Sequence, residues 1–97
     1  MIVDGFELEK EIPFWTLEED GKSIARKFVF ADFQQAFEFM TLSAQYAEKI
    51  DHHPDWSNSW NKVSVKLSTH SVGALTKLDI QLAIAMDRFS DKVIEKN

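Results

Sequence analysis

From Phe33 to Ala47 the apolar residues Phe33, Phe37, Met40, Ala44 and Ala47 recur at spacings of 4, 3, 4 and 3, which is one stripe of a helix. Asp32 with Gln35 three residues on supplies a capping box, so a helix is predicted over about 33–50. Such a stripe must be covered by something else in the chain. On both sides of it the hydrophobic period changes. Upstream, Trp15 and Leu17 alternate with polar neighbours, Glu18-Glu19-Asp20-Gly21-Lys22 reads as a turn, and Ile24, Phe28 and Phe30 share one side of an alternating run, which predicts a β-hairpin. Downstream, the segments Trp56 to Trp60 and Lys62 to Thr69 are separated only by Asn61, and Val63, Val65 and Leu67 alternate with Ser64, Lys66 and Ser68, which predicts a second hairpin. Thr76 and Asp79 then cap a closing helix that runs to about Ile94 and is striped by Leu78, Leu82, Ala85, Phe89 and Val93.

The order is therefore helix (short, if present), β, β, α, β, β, α. Successive hairpins imply an antiparallel sheet, and two striped helices bury most simply against one face of it, an α+β architecture. Trp15 and the Phe33 stripe are expected in the core. Residues 1–12 are the least legible: Asp4 and Glu7 are spaced as a capping box, Leu8 and Ile12 lie four apart, and Pro13 is a stop, which leaves room for one or two helical turns. Ninety-seven residues without repeats or low-complexity runs read as one domain, 1–97.

Charge and composition narrow the function. Eleven Lys and Arg against sixteen Asp and Glu leave a net charge of −5, which works against nucleic acid or an anionic membrane surface as a partner. With no Cys, disulfides, thiolate zinc sites and cysteine nucleophiles drop out together. The amino terminus has no basic region leading into an apolar run, and no apolar stretch is long enough to span a bilayer, so a soluble, cytoplasmic protein is expected. A chain this small gains much from self-association, which makes a homo-oligomer the expectation.

All three histidines fall at ends of elements. Pro54 disfavours helix at His53, so His52 and His53 belong to the exit from the first long helix, and His70 closes the long strand of the second hairpin. Either these are three separate surface rings or the strand returns His70 to the helix exit and makes a cluster. Three histidines and a water can hold zinc, but adjacent histidines before a proline rarely turn both rings to one ion. Acid–base work at neutral pH suits the same residues without metal or cofactor. None of the rings is expected in the core. Glu48, Asp51 and Asp79 could orient imidazoles or bind a polar heterocycle, with Asp79 otherwise serving its helix amino terminus and Glu48 otherwise solvated. Trp56 and Trp60 are either stacking platforms or core aromatics, and Ser68 and Ser71 read as strand-edge and turn residues.

Glu48, three residues, His52-His53-Pro54, five residues, Trp60, nine residues, His70, eight residues and Asp79 together resemble the signature of the pterin-4a-carbinolamine dehydratases. The strings Asp51-His52-His53-Pro54-Asp55-Trp56 and Leu67-Ser68-Thr69-His70 look like that family's two active-site segments, and the similarity runs from about Trp15 to Phe89. The resemblance implies a four-stranded antiparallel sheet with helices on one face, ordered αββαββα. It also implies dehydration of 4a-hydroxytetrahydrobiopterin to quinonoid dihydrobiopterin, which recycles the pterin of aromatic amino acid hydroxylases. Carried over, His52, His53 and His70 are the catalytic and substrate-contacting histidines. Pro54 closes the first contact segment, and Thr69, Ser71 and Val72 belong to the second. A homodimer or homotetramer is implied as well. Two alternatives stay open: a protein-binding role as a dimerisation cofactor of a transcription factor, and a different pterin substrate, such as one related to the molybdenum cofactor. The chain departs from the family's usual pattern in its short segment before Trp15 and in Val72-Gly73-Ala74, where a glycine pair is common.

Overall fold

The computed structural model describes residues 5–95, with side chains from residue 8 onward. The elements are α1 (Gly5–Glu11), β1 (Thr16–Leu17), β2 (Ile24–Val29), α2 (Phe33–Ile50), β3 (Asp55–Ser59), β4 (Lys62–Leu67) and α3 (Lys77–Glu95). The four strands form one antiparallel sheet in the order β1-β2-β4-β3, so β4 is central and β3 is an edge. This is the α+β arrangement the sequence predicts. Leu8 and Ile12 of the first helical segment are buried, whereas the Asp4–Glu7 capping box lies outside the described residues.

Alternation in the strands decides the two faces of the sheet. Ile24 and Phe28 of β2 join Val63, Val65 and Leu67 of β4 in the core, while Lys62, Ser64 and Lys66 face solvent. Trp15 is buried as expected, and its indole Nε1 donates to Asp87 Oδ1 at 2.8 Å. The same oxygen accepts from Arg26 Nη1 at 2.6 Å, and the guanidinium lies 4.2 Å from the centroid of Phe28. This joins the first hairpin to α3.

The capping box of α2 forms as the spacing dictates. Gln35 N donates to Asp32 Oδ1 (2.8 Å) while Gln35 Oε1 accepts from Ala31 N (2.9 Å). The phase of the α2 stripe differs from the sequence reading. Ala36, Phe39, Ser43 and Ala47 are buried; Phe33 and Phe37 are half exposed and stack on each other with ring centroids 5.8 Å apart, and Ala44 is exposed. Two stripes of the same period compete on this helix. The one carrying Phe39 wins because that ring meets Phe28 at 4.5 Å and Phe30 at 5.1 Å on the sheet, and the polar Ser43 in its midst hides it from a hydrophobicity count. In α3, Leu82 and Val93 are buried as read. Ala85 and Phe89 flank the stripe, Leu78 is exposed, and Ala83, Met86 and Ser90 complete the inner face.

Candidate active site

α2 ends at a residue that reorients the chain. Asp51 takes the left-handed conformation (φ 53°, ψ 46°), which aspartate tolerates better than most residues. Its N–H donates back to Glu48 O and the His52 N–H donates to Ala47 O at 3.0 Å, a Schellman closure that needs no proline. The turn sends His52 inward and His53 outward. His52 is buried, and its Nε2 donates to Asp79 Oδ1 at 2.6 Å; His53 is exposed, and its Nε2 meets the solvent-facing carboxylate of Glu48 at 2.5 Å.

Asp79, fully buried at the start of α3, is the centre of this network. Its Oδ2 accepts from the backbone N–H of Thr76 (3.0 Å) and from the hydroxyl of Thr69 (2.8 Å). A hydroxyl has one proton. Since that of Thr69 is committed to Asp79, the Thr76 hydroxyl 2.7 Å away donates to Thr69 Oγ1. One carboxylate thus fixes a ring from the α2 exit, a hydroxyl from the end of β4 and the first turn of α3. Asp79 serves both its helix amino terminus and His52, the two roles that sequence kept as alternatives.

The third ring comes from the turn after β4. Thr69 N donates to Ala74 O, and Val72 N and Gly73 N both donate to Thr69 O, closing a loop in which Gly73 has φ 71°. This presents His70, exposed and without a hydrogen bond to any described residue, beside the α2 exit. His52, His53 and His70 line one cavity of about 360 Å³ together with Thr69 and Ser71. Asp51, Pro54 and Asp55 form its rim on the α2 side, and Lys66 and Ser68 its wall along β4. A larger, more open depression of about 550 Å³ lies over Ala25, Lys27 and Ser64, with no histidine or carboxylate in its lining. The chemistry therefore gathers at the smaller cavity, whose size lies within the range of small-molecule sites.

Several expected residues are placed differently. Trp56 pairs with Val65, so the two-residue period puts it on the core side of the sheet, half-buried, and it does not line the cavity. Trp60 stands at the tip of the β3–β4 hairpin with φ 51° and is 65% exposed, at the far end of β3 from His53, and cannot stack on a ring held by the histidines. Val72 projects from the turn into solvent and is absent from the lining. Glu48 and Asp79 are absent from the lining and hydrogen-bond to the rings of His53 and His52 instead. His52, expected outside the core, is a buried part of the Asp79 network. Lys66, Ser68 and Asp55 were not singled out as site residues, although Lys66, Ser68 and His70 continue the solvent-facing alternation of β4 and Asp55 pairs with Lys66. Among the described residues no three His, Asp or Glu side chains gather as a metal ion would require. No described helix is long and apolar enough to cross a membrane.

Two carboxylate-held imidazoles and one free imidazole around a polar cavity can orient a small heterocycle and move protons at its ring atoms. The family model described as pterin 4 alpha carbinolamine dehydratase matches residues 5–89. Curated relatives from Mesorhizobium japonicum (53% identical over 79 residues, 81% of each chain) and Chelativorans sp. (49% over 82 residues, 84% of each chain) are both named, provisionally, pterin-4-alpha-carbinolamine dehydratase. The crystal structure of a transcriptional coactivator/pterin dehydratase from Brucella melitensis superposes with a TM-score of 0.85 at 39% identity, covering 93% of this chain and 99% of that one. A pterin dehydratase-like RuBisCO assembly factor of the alpha-carboxysome shares the fold alone, with a TM-score of 0.68 at 17% identity over 78% of this chain and 88% of that one. Taken with the fold and the histidine-lined cavity, these similarities show that the chain belongs to the pterin 4 alpha carbinolamine dehydratase family.

Proposed function

We propose that the protein converts 4a-hydroxytetrahydrobiopterin to quinonoid dihydrobiopterin and water, and that His52, His53 and His70 carry the reaction. The observation behind this reading is that all three imidazoles line one cavity, two of them held by carboxylates. In the step itself the C4a–O bond breaks and a C4a=N5 bond forms. One proton is delivered to the departing oxygen and one is taken from N5, so an acid and a base are both needed and nothing is oxidised or reduced. His53 and His70 are the exposed rings and serve the proton transfers; His52, anchored on Asp79, fixes the substrate ring against them. The product would return to a reductive step that feeds an aromatic amino acid hydroxylase. The exposed edge strand β3 suits pairing with a second copy, so the same reading includes a homodimer that extends the sheet, with a homotetramer built from two of them.

A second reading, a protein-binding coactivator role, is favoured by the stacked, half-exposed Phe33 and Phe37 on α2 and by the name of the Brucella protein. Stopped-flow absorbance on purified protein, with the carbinolamine generated in the mixing chamber, separates the two. Dehydration faster than the spontaneous rate, and proportional to protein concentration, supports the enzyme; an unchanged rate leaves the binding role as the better account.

A further inference from the structure

α2 and α3 pack against each other, and along their seam lies a cavity of about 390 Å³ that shares no residue with the histidine cavity. Tyr46 lines it from α2, and Gln81, Ile84, Ala85, Arg88 and Phe89 line it from α3. The α3 residues recur at the three- and four-residue spacing of one helix face. Ala85 is the one short side chain among them and leaves a hollow beside the rings of Tyr46 and Phe89, which meet edge to face with centroids 6.0 Å apart. Tyr46 follows Phe37 by two and a half helical turns, so the cavity opens on the opposite side of α2 from the exposed Phe33 and Phe37.

Its walls are apolar and its polar groups are chiefly donors. Gln81 Nε2 donates to the Tyr46 hydroxyl at 2.8 Å, so that hydroxyl keeps its own proton to give. Arg88 is exposed and forms no ion pair with a described residue: Asp87 is taken by Arg26, and Asp91, one turn along, does not reach it. In a chain of net charge −5, the one charged residue of this lining is a cation. A cationic guest would meet that charge with no carboxylate to offset it. A phosphate would have to shed water against apolar walls. A carboxylate carried on an aromatic ring satisfies both halves: the planar anion takes the guanidinium fork in bidentate fashion and accepts from Tyr46, while the ring lies against Ile84, Ala85 and Phe89. We propose that this cavity is a second binding site, specific for a small aromatic carboxylate. It does not depend on the dehydratase reading.

The test titrates 3-phenylpropionate, and separately its uncharged amide, into the full chain while NMR follows the methyl groups of Ile84 and Ala85 and the rings of the histidines. The methyl resonances are expected to shift along one saturable isotherm with a dissociation constant on the order of 1 mM, as a ligand of about a dozen heavy atoms allows, while the histidine rings stay in place. The amide should bind about tenfold more weakly, the loss of one charge-assisted hydrogen bond. Arg88→Gln should bring acid and amide to equal affinity, and Tyr46→Phe should weaken the acid about threefold or more while keeping both rings. Arg88 is exposed and Tyr46→Phe removes only an oxygen, so both variants keep the fold, which their unchanged histidine spectra check. No saturation of the methyl shifts by about 20 mM would overturn the site. So would equal binding of acid and amide by the wild type, an acid preference that survives in Arg88→Gln, or shifts at the histidines in place of the methyl groups.

Discussion

Replacing Asp79 by Asn keeps the shape of the buried network and changes its proton count. Oδ2 accepts two hydrogens and one of its donors is the backbone N–H of Thr76, which cannot reverse its role. The amide oxygen of the variant must therefore take that side, and its NH₂ group must face His52 Nε2. That nitrogen then has to accept, so the ring proton moves to Nδ1 and His52 is locked in the opposite tautomer. Three charge-assisted bonds, worth ~1.5–3 kcal/mol each, become neutral ones worth ~0.5–1.5, a gross loss of about 3–4 kcal/mol. Relief from burying an ionised carboxylate offsets most of this, leaving a net loss of about 1 kcal/mol and a Tm lower by about 4–8 °C. Activity suffers far more, by ~10²–10⁴, because an imidazole in the wrong tautomer misplaces both a proton and the substrate ring. Asp79→Ala, which orphans three donors, should instead cost about 3–5 kcal/mol. Denaturant titration with dehydration kinetics on the same samples measures both effects. An Asn variant with activity within about threefold of wild type would make the network purely structural and refute the reasoning.

His70→Ala should lose ~10²–10⁴ of activity with a Tm within about 2 °C of wild type, since the ring is exposed and holds nothing in place; parallel losses would argue that it is structural. Asp87 gives a pH test. Desolvation outweighs its hydrogen bond from Trp15 and the attraction of Arg26 and raises its pKa above the ordinary 3.8. Between those two values the folded chain holds more protons than the unfolded one, so the contribution of Asp87 to stability grows as pH falls through the window and is lost as pH rises through the folded pKa. Wild type should therefore gain stability relative to Asp87→Asn on acidification from neutral pH toward 4, measured by urea titration; a constant difference would contradict the shift. Sedimentation equilibrium at micromolar concentration should show at least a dimer, and a single 11.2 kDa species would remove the sheet-extension proposal without touching the site.

What could be read from sequence follows the physics of each signal. Caps and periods located α2 and α3 to within a residue because side-chain spacing on a helix is local. The phase of α2 was not legible, because Phe33 and Phe39 both belong to plausible stripes and the choice depends on Phe28 and Phe30, partners met only across the sheet. That the three histidines share one cavity was legible chiefly through the resemblance to the family signature, since their spacing alone left three separate rings equally open. Their division of labour was not, since the inward turn of His52 depends on the left-handed Asp51 and on a carboxylate 27 residues away. Trp60 misled because an aromatic that suits a hairpin tip looks, in sequence, like one that suits a ligand. Lys66 and Ser68 were hidden in plain alternation. The strand's outer face reads as solvated until the turn at Thr69 shows that its end is a cavity wall.

The central claim is that one pterin ring engages all three imidazoles at once. Heteronuclear NMR of histidine side chains, recorded while a stable dihydropterin is titrated into the purified protein, tests it most directly. The account predicts that the ring resonances of His52, His53 and His70 shift along one saturable isotherm, with a single dissociation constant. Shifts at only one ring, or at different constants for different rings, would contradict a shared site.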